Sequence, residues 1–175
     1  VCRGQPHDFY VYGLLCSDWA VAQRPVAADE ASYRRGPMEI RVFRESDEQA
    51  VIDLWRAVSL SSAPHNDPAM ALRKKLAVDR DLLFVAEIDG SLVGTVMGGY
   101  DGHRGWVYAV AVHTDHRRRG VGSALMRRVE AALADRGCLK VNLQVMASNP
   151  GAVAFYEKLG YSVEERVSMG KRLYE

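Results

Sequence analysis

Three consecutive arginines, Arg117, Arg118 and Arg119, run into Gly120-Val121-Gly122-Ser123 and then into a stretch whose apolar residues recur at helical spacing (Val121, Ala124, Leu125, Val129, Ala132, Leu133). Ahead of them, beyond Thr114-Asp115-His116, lies Trp106–His113, a continuous stretch of the buried-strand type. A buried strand that passes through a basic loop and opens a helix on glycines can hold an anion. The first helical N–H groups have no partner within the helix, and the helix dipole adds partial positive charge there. Glycine lets a ligand approach the backbone without a Cβ in the way, and arginines add charge-assisted contacts to phosphate oxygens. The plain alternative is a solvated basic turn ahead of a surface helix. Two familiar phosphate loops are excluded. GxxxxGK[ST] is absent, and the dinucleotide pattern GxGxxG/A fails because Leu125 stands at its third position and a polar loop separates strand from glycines.

Further along, Asn149-Pro150 opens a short helix that carries Tyr156 on the same face as Ala152 and Leu159. Asn149 reads as the N-cap and Tyr156, from its face alone, as a core aromatic. The three cysteines, Cys2, Cys16 and Cys138, form no CxxC pair. A disulfide framework or structural zinc site is therefore not expected, and a reducing compartment, the cytoplasm, is. Cys138 reads as a small buried hydrophobe rather than a nucleophile.

The elements that must position these residues follow from pattern and punctuation. Glu39–Arg44 alternates as a first strand; Ser46-Asp47 offers a cap for a helix through Ala50, Val51, Leu54 and Val58. Asn66-Asp67-Pro68 starts a second helix through Leu72 and Leu76. Leu82–Ile88, the turn Asp89-Gly90 and Leu92–Tyr100 make a hairpin, and Trp106–His113 is the next strand. Gly137 stops the helix Gly120–Arg136; Leu139–Met146 is a strand, Pro150–Leu159 a helix, and Tyr161–Val163 with Val167–Leu173 are expected to close the sheet. The fold class is α/β: antiparallel strands come first, then a strand–helix–strand unit, which makes a mixed sheet with helices on both faces.

At 175 residues the chain is one domain with a little over, against roughly 150 residues per domain. Regular patterning starts at Met38, so residues 38–175 are read as the domain and residues 1–37 as an N-terminal extension upstream of it. A secretory signal built on Arg3, Phe9–Cys16 and Ala20-Val21-Ala22 is disfavoured by Asp18 and Trp19. Hydrophobic residues at 48% and charged residues at 26% fit a globular protein and exclude a disordered one. No apolar run approaches a membrane span, and a net charge of +1 supplies no field toward nucleic acid or anionic membrane, so neither is expected as a partner.

The segment Arg117-x-x-Gly120-x-Gly122 resembles the acyl-CoA pyrophosphate loop of the GNAT N-acetyltransferase superfamily. Asn149 through Tyr156 to Leu159-Gly160-Tyr161 resembles that family's second motif, in the right order and one helix and one strand away. The segments 97–105 (MGGYDGHRG) and 168–173 (SMGKRL) are similar to the small bacterial YpeA-type acetyltransferases. The resemblance spans Met38 to about Leu173. It implies an acyl-CoA N-acyltransferase fold, a mostly antiparallel sheet with a splayed parallel pair of central strands, acetyl-CoA as cosubstrate without a metal, and direct transfer to an amine by a monomer or homodimer. It also implies roles. Val110, Ala111 and Val112 would meet the pantetheine arm; Arg117, Arg118, Arg119, Gly120, Val121, Gly122 and Ser123 the phosphates; Asn149 the pantetheine; Tyr156 would bind the cofactor and protonate the departing thiolate.

One departure stands out. Where relatives carry a base glutamate on the fifth strand, this chain has Gln144, and the fourth strand offers Trp106 and Tyr108. Asp101, His103 and Asp67 are the remaining base candidates. The missing base leaves room for a CoA-binding sensor module without catalysis, against which Tyr156 counts. A toxin-type enzyme acting on charged tRNA is weakened by the neutral charge.

Overall fold

The computed structural model describes residues 36–58 and 66–173. The N-terminal extension up to residue 35, with Cys2, Cys16 and the signal-like stretch, lies outside the described residues. Five strands form one sheet in the order β1 (Glu39–Val42), β2 (Leu83–Ile88), β3 (Ser91–Tyr100), β4 (Gly105–Val112) and β5 (Val141–Asn142). The first three pairings are antiparallel and β4–β5 is parallel. Asp89 and Gly90 both take positive φ, 51° and 73°, the twisted two-residue turn that their types favour.

The strand period of two divides the core into two layers. On β2, Leu83 and Val85 face α1 (Glu48–Val58) and α2 (Pro68–Asp79), meeting Val51, Leu54, Trp55 and Leu72. Phe84 and Ala86 face the opposite way, toward α3 (Val121–Ala134) and α4 (Pro150–Glu157), with Leu125, Val129 and Tyr156 among their neighbours. The helix α3 lies close on β3 because Gly98 is bare: a Cβ there would stand 2.7 Å from Val129 Cγ2.

Helix starts follow the caps read from the sequence. Asp67 accepts the Met70 amide at 2.7 Å, with Pro68 in the first turn of α2. The cap expected at Ser46-Asp47 differs: Asp47 ends a short 3-10 turn, Glu45–Asp47, ahead of α1 and reaches back to the residue before that turn. Its buried carboxylate accepts Arg44 N at 2.7 Å and both terminal nitrogens of Arg41, at 2.7 and 2.9 Å, while Arg41 also reaches Glu87 at 2.7 Å. The Arg41 guanidinium holds the Asp47 carboxyl below the usual carboxylate range.

Two expectations differ from the structure. Only Val141 and Asn142 of the expected strand Leu139–Met146 pair with β4. The expected closing strands 161–163 and 167–173 form no ladder among the described residues; Val163, Val167, Met169 and Leu173 stand exposed. Alternating residues mark an extended segment, but a strand also needs a free edge of matching length, and a two-residue β5 offers almost none. The parallel pair, expected at the centre of the sheet, therefore sits at one edge of it among the described residues.

Candidate functional site

Beyond the Trp106–Asn142 pair the chain after β5 leaves β4. His113 N donates to Val93 O at 2.8 Å, toward β3, so by alternation the backbone groups of Val112 point to the side that β5 has vacated. The Val112 carbonyl accepts Arg117 Nε at 3.2 Å, which ties the basic loop to the strand end. An open strand edge of this kind can be completed by an extended, amide-bearing ligand.

The other side of β4 is irregular. Thr95 pairs with Ala111 but Met97 pairs with Tyr108, so Ala109 and Val110 together oppose Val96. Ala109 takes φ of 47°, a left-handed conformation that costs an L residue about 1–2 kcal/mol and must be held by its surroundings. The bulge turns Tyr108 and Ala109 both toward the α1 layer, while Val107 and Val110 face the α3 layer. Two buried side chains meet it: Trp55 Nε1 lies 2.8 Å from Thr95 Oγ1, which lies 3.0 Å from Ala109 O. The sequence signals none of this beyond one threonine inside an apolar strand.

The loop after β4 ends in the conformation an anion cradle requires. Arg118 and Gly120 take φ of 59° and 82°, and Gly120 caps α3 with no side-chain hydrogen bond. The first amide turned back to the cap is that of Ala124, on Gly120 O at 3.0 Å, so the N–H groups of Val121, Gly122 and Ser123 precede the helical ladder. Arg118 and Arg119 are exposed and Arg117 half-buried. The structure adds a second reason for a small residue at position 122. A Cβ there would lie 3.2 Å from Phe155 Cζ and 3.8 Å from Val112 Cγ2, so helix contact already demands a small residue. The same contact brings the end of β4, the start of α3 and α4 together at one place.

On α4, buried Asn149 accepts the Ala152 amide at 3.0 Å as N-cap. Tyr156 is 3% exposed and packs edge-on against Phe155 and Tyr161, with ring centroids 5.0 and 5.8 Å away. Tyr161 donates its hydroxyl to Glu130 Oε1 at 2.7 Å, and burial with the nearby carboxylate pushes that hydroxyl far up.

Of the base candidates, Asp101 closes its own turn by accepting His103 N at 2.8 Å and Arg104 N at 2.7 Å; these bonds hold its carboxyl below the usual range. Asp67 is spent as the cap of α2, and His103 is exposed in the Asp101 turn. Gln144 donates to Ser168 Oγ at 2.6 Å, fastening the extended C-terminal segment beside the parted strand. Trp106 and Tyr108 stack, half-buried, at 6.3 Å on the strand below the bulge. Among the described residues no group of three or more His, Cys, Asp or Glu could hold a metal ion, and no helix is long and apolar enough to cross a membrane.

Residues 48–161 match the model of the acetyltransferase (GNAT) family. An acetyltransferase of Pectobacterium atrosepticum is 49% identical over 138 residues, covering 79% of this chain and 97% of the relative. One from Sodalis glossinidius is 50% identical over 139 residues, with coverages of 79% and 97%. Among solved structures, Ard1 from Thermoplasma volcanium superimposes with a TM-score of 0.62 at 28% identity, covering 73% of this chain and 84% of that one. The aminoglycoside N-acetyltransferase AAC(6')-Iy in complex with CoA gives 0.65 at 19% identity, covering 79% and 96%, a likeness of fold.

Proposed function

Since the chain belongs to the acetyltransferase (GNAT) family, we propose that it transfers the acetyl group of acetyl-CoA directly to a primary amine. The observation that carries this reading is the start of α3, whose first amides have no side-chain cap, with its left-handed Gly120 and three preceding arginines, next to the open edge of β4. These residues fit the cosubstrate. The N–H groups of Val121, Gly122 and Ser123 and the side chains of Arg117, Arg118 and Arg119 hold its phosphates. The freed edge of β4 at Val112, with Val110 and Ala111 beside it and Asn149 at the start of α4, receives its amide-bearing arm.

When bound, acetyl-CoA supplies an activated thioester; the chain supplies orientation, charge stabilisation and protons. As the new C–N bond forms, negative charge gathers on the thioester oxygen, and backbone N–H groups at the β4 bulge stabilise it. As the C–S bond breaks, Tyr156 gives its hydroxyl proton to the leaving thiolate. The nucleophile must be the neutral amine. Gln144 cannot take its proton, and Asp101 and Asp67 are committed to caps, which leaves exposed His103 or solvent to take the proton before attack. Cys138, the free cysteine among the described residues, bonds to Lys140 O at 3.2 Å and has no part in the transfer; a reducing cytoplasm suits it.

Calorimetric titration with acetyl-CoA, followed by a screen of primary amines for released CoA thiol, tests the reading. Saturable binding and thiol release with one amine class is the expected result. No binding would refute it, and binding without release on any amine would point to a CoA-binding regulatory module instead.

A further inference from the structure

We propose that Trp55 and Thr95 are positioning residues for acyl transfer: their hydrogen-bonded chain to the Ala109 carbonyl sets the β4 bulge and thereby aims the backbone donors at the thioester oxygen. The inference rests on the acetyl-CoA reading above for the purpose of the bulge, though not for its geometry. An indole N–H can only donate, so the Thr95 oxygen accepts from Trp55 Nε1 at 2.8 Å. That leaves the single Thr95 proton for Ala109 O at 3.0 Å. Each group in the chain is used once, in a direction fixed by chemistry rather than by choice. Thr95 is 0% exposed and Trp55 5%, so water cannot readily substitute for either bond.

The chain joins three elements that sequence keeps apart: α1 carries the indole, β3 the hydroxyl and β4 the bulge. Its endpoint is the residue that most needs holding, since Ala109 has a Cβ and yet takes φ of 47°. Thr95 pairs in register with Ala111, so its hydroxyl reaches back two residues along β4 to the carbonyl of the extra residue. The indole fixes the hydroxyl rotor, and the hydroxyl fixes the peptide that follows Ala109. If those bonds are removed, the left-handed residue loses its side-chain anchor and the donors beyond it lose their aim.

The test compares Thr95→Val, which keeps the shape and deletes both bonds, with Thr95→Ser, which keeps the hydroxyl, and Trp55→Phe, which removes the donor together with part of the indole's bulk. In the ligand-free protein, the Ala109 amide coupling and Cβ shift report its backbone conformation. They should show a left-handed residue in wild type and Ser, and a shifted one in Val. With carbonyl-labelled acetyl-CoA bound, the infrared stretch of the thioester should fall in wild type and Ser but return toward its solution value in Val. Affinity for CoA itself should stay within about threefold, and thiol release on an accepted amine should drop roughly 10- to 100-fold, part of the loss seen when an oxyanion donor is removed outright. A Val variant that melts earlier but keeps Ala109 left-handed and the carbonyl shifted would overturn the proposal, since the tether would then be merely structural. If Val does not fold, Trp55→Phe with unchanged Ala109 signals and carbonyl frequency overturns it equally. Wild-type protein that fails to bind acetyl-CoA would overturn the acetyl-transfer reading and the purpose given to the bulge, while the Ala109 signals would still report whether the tether holds it.

Discussion

Replacing Tyr156 with Phe separates chemistry from packing. The ring is 3% exposed and makes edge-to-face contacts with Phe155 and Tyr161, at 5.0 and 5.8 Å, which Phe reproduces in the same volume. The structural cost is then the loss of one hydroxyl, about 1 kcal/mol if its hydrogen bond is worth the usual amount. For a chain of this size that lowers the melting temperature by roughly 2–4 °C. Loss of a general acid costs far more in rate, on the order of 10²–10³ in turnover or roughly 2.7–4 kcal/mol of barrier. Rate should therefore fall well beyond what stability reports, with acetyl-CoA affinity nearly unchanged. Tyr156→Ala provides the contrast: emptying a buried aromatic site costs about 3–5 kcal/mol in stability and disturbs the contact between α4 and the sheet. The assay is thiol release on an accepted amine at saturating acetyl-CoA, with calorimetry and thermal melts on the same preparations. A Phe variant with full turnover would refute the acid role and leave Tyr156 a packing residue; matched losses in turnover and affinity would make it a binding contact.

Gly122→Val should weaken acetyl-CoA binding and also lower stability by about 1–3 kcal/mol, because the added side chain must displace Phe155 from 3.2 Å; calorimetry on the folded variant giving wild-type affinity would contradict the cradle. Asp47 has a folded-state pKa held below its unfolded value by Arg41, so its contribution is full above about pH 4 and is lost as pH falls through the lower folded value. Asp47→Asn should cost about 1.5–3 kcal/mol at neutral pH, the range for hydrogen bonds to a charged group, and the gap to wild type should close in acid. Denaturant unfolding at several pH values checks this, and a gap that stayed constant into acid would exclude Asp47 as the titrating group.

What the sequence alone determined is what neighbouring residues decide among themselves. Asp67 ahead of Pro68 and Asn149 ahead of Pro150 start helices because the partner of each cap lies three residues on. Asp89-Gly90 turns a hairpin because both residues tolerate positive φ. Arg117 to Ser123 reads as an anion loop because a helix start is polar wherever it stands. Tertiary structure decided everything that needed a distant partner. The segments 161–163 and 167–173 alternate like strands, yet strand formation depends on the edge beside them, and β5 ends after two residues. Gly122 reads as a ligand's glycine in sequence, and only the fold shows that α4 also meets it there, through Phe155. The bulge at Ala109 has no local sequence signature. Its conformation costs free energy by itself, and it persists because folding brings a hydroxyl 14 residues away on β3, held by an indole 40 residues further back on α1, against its carbonyl.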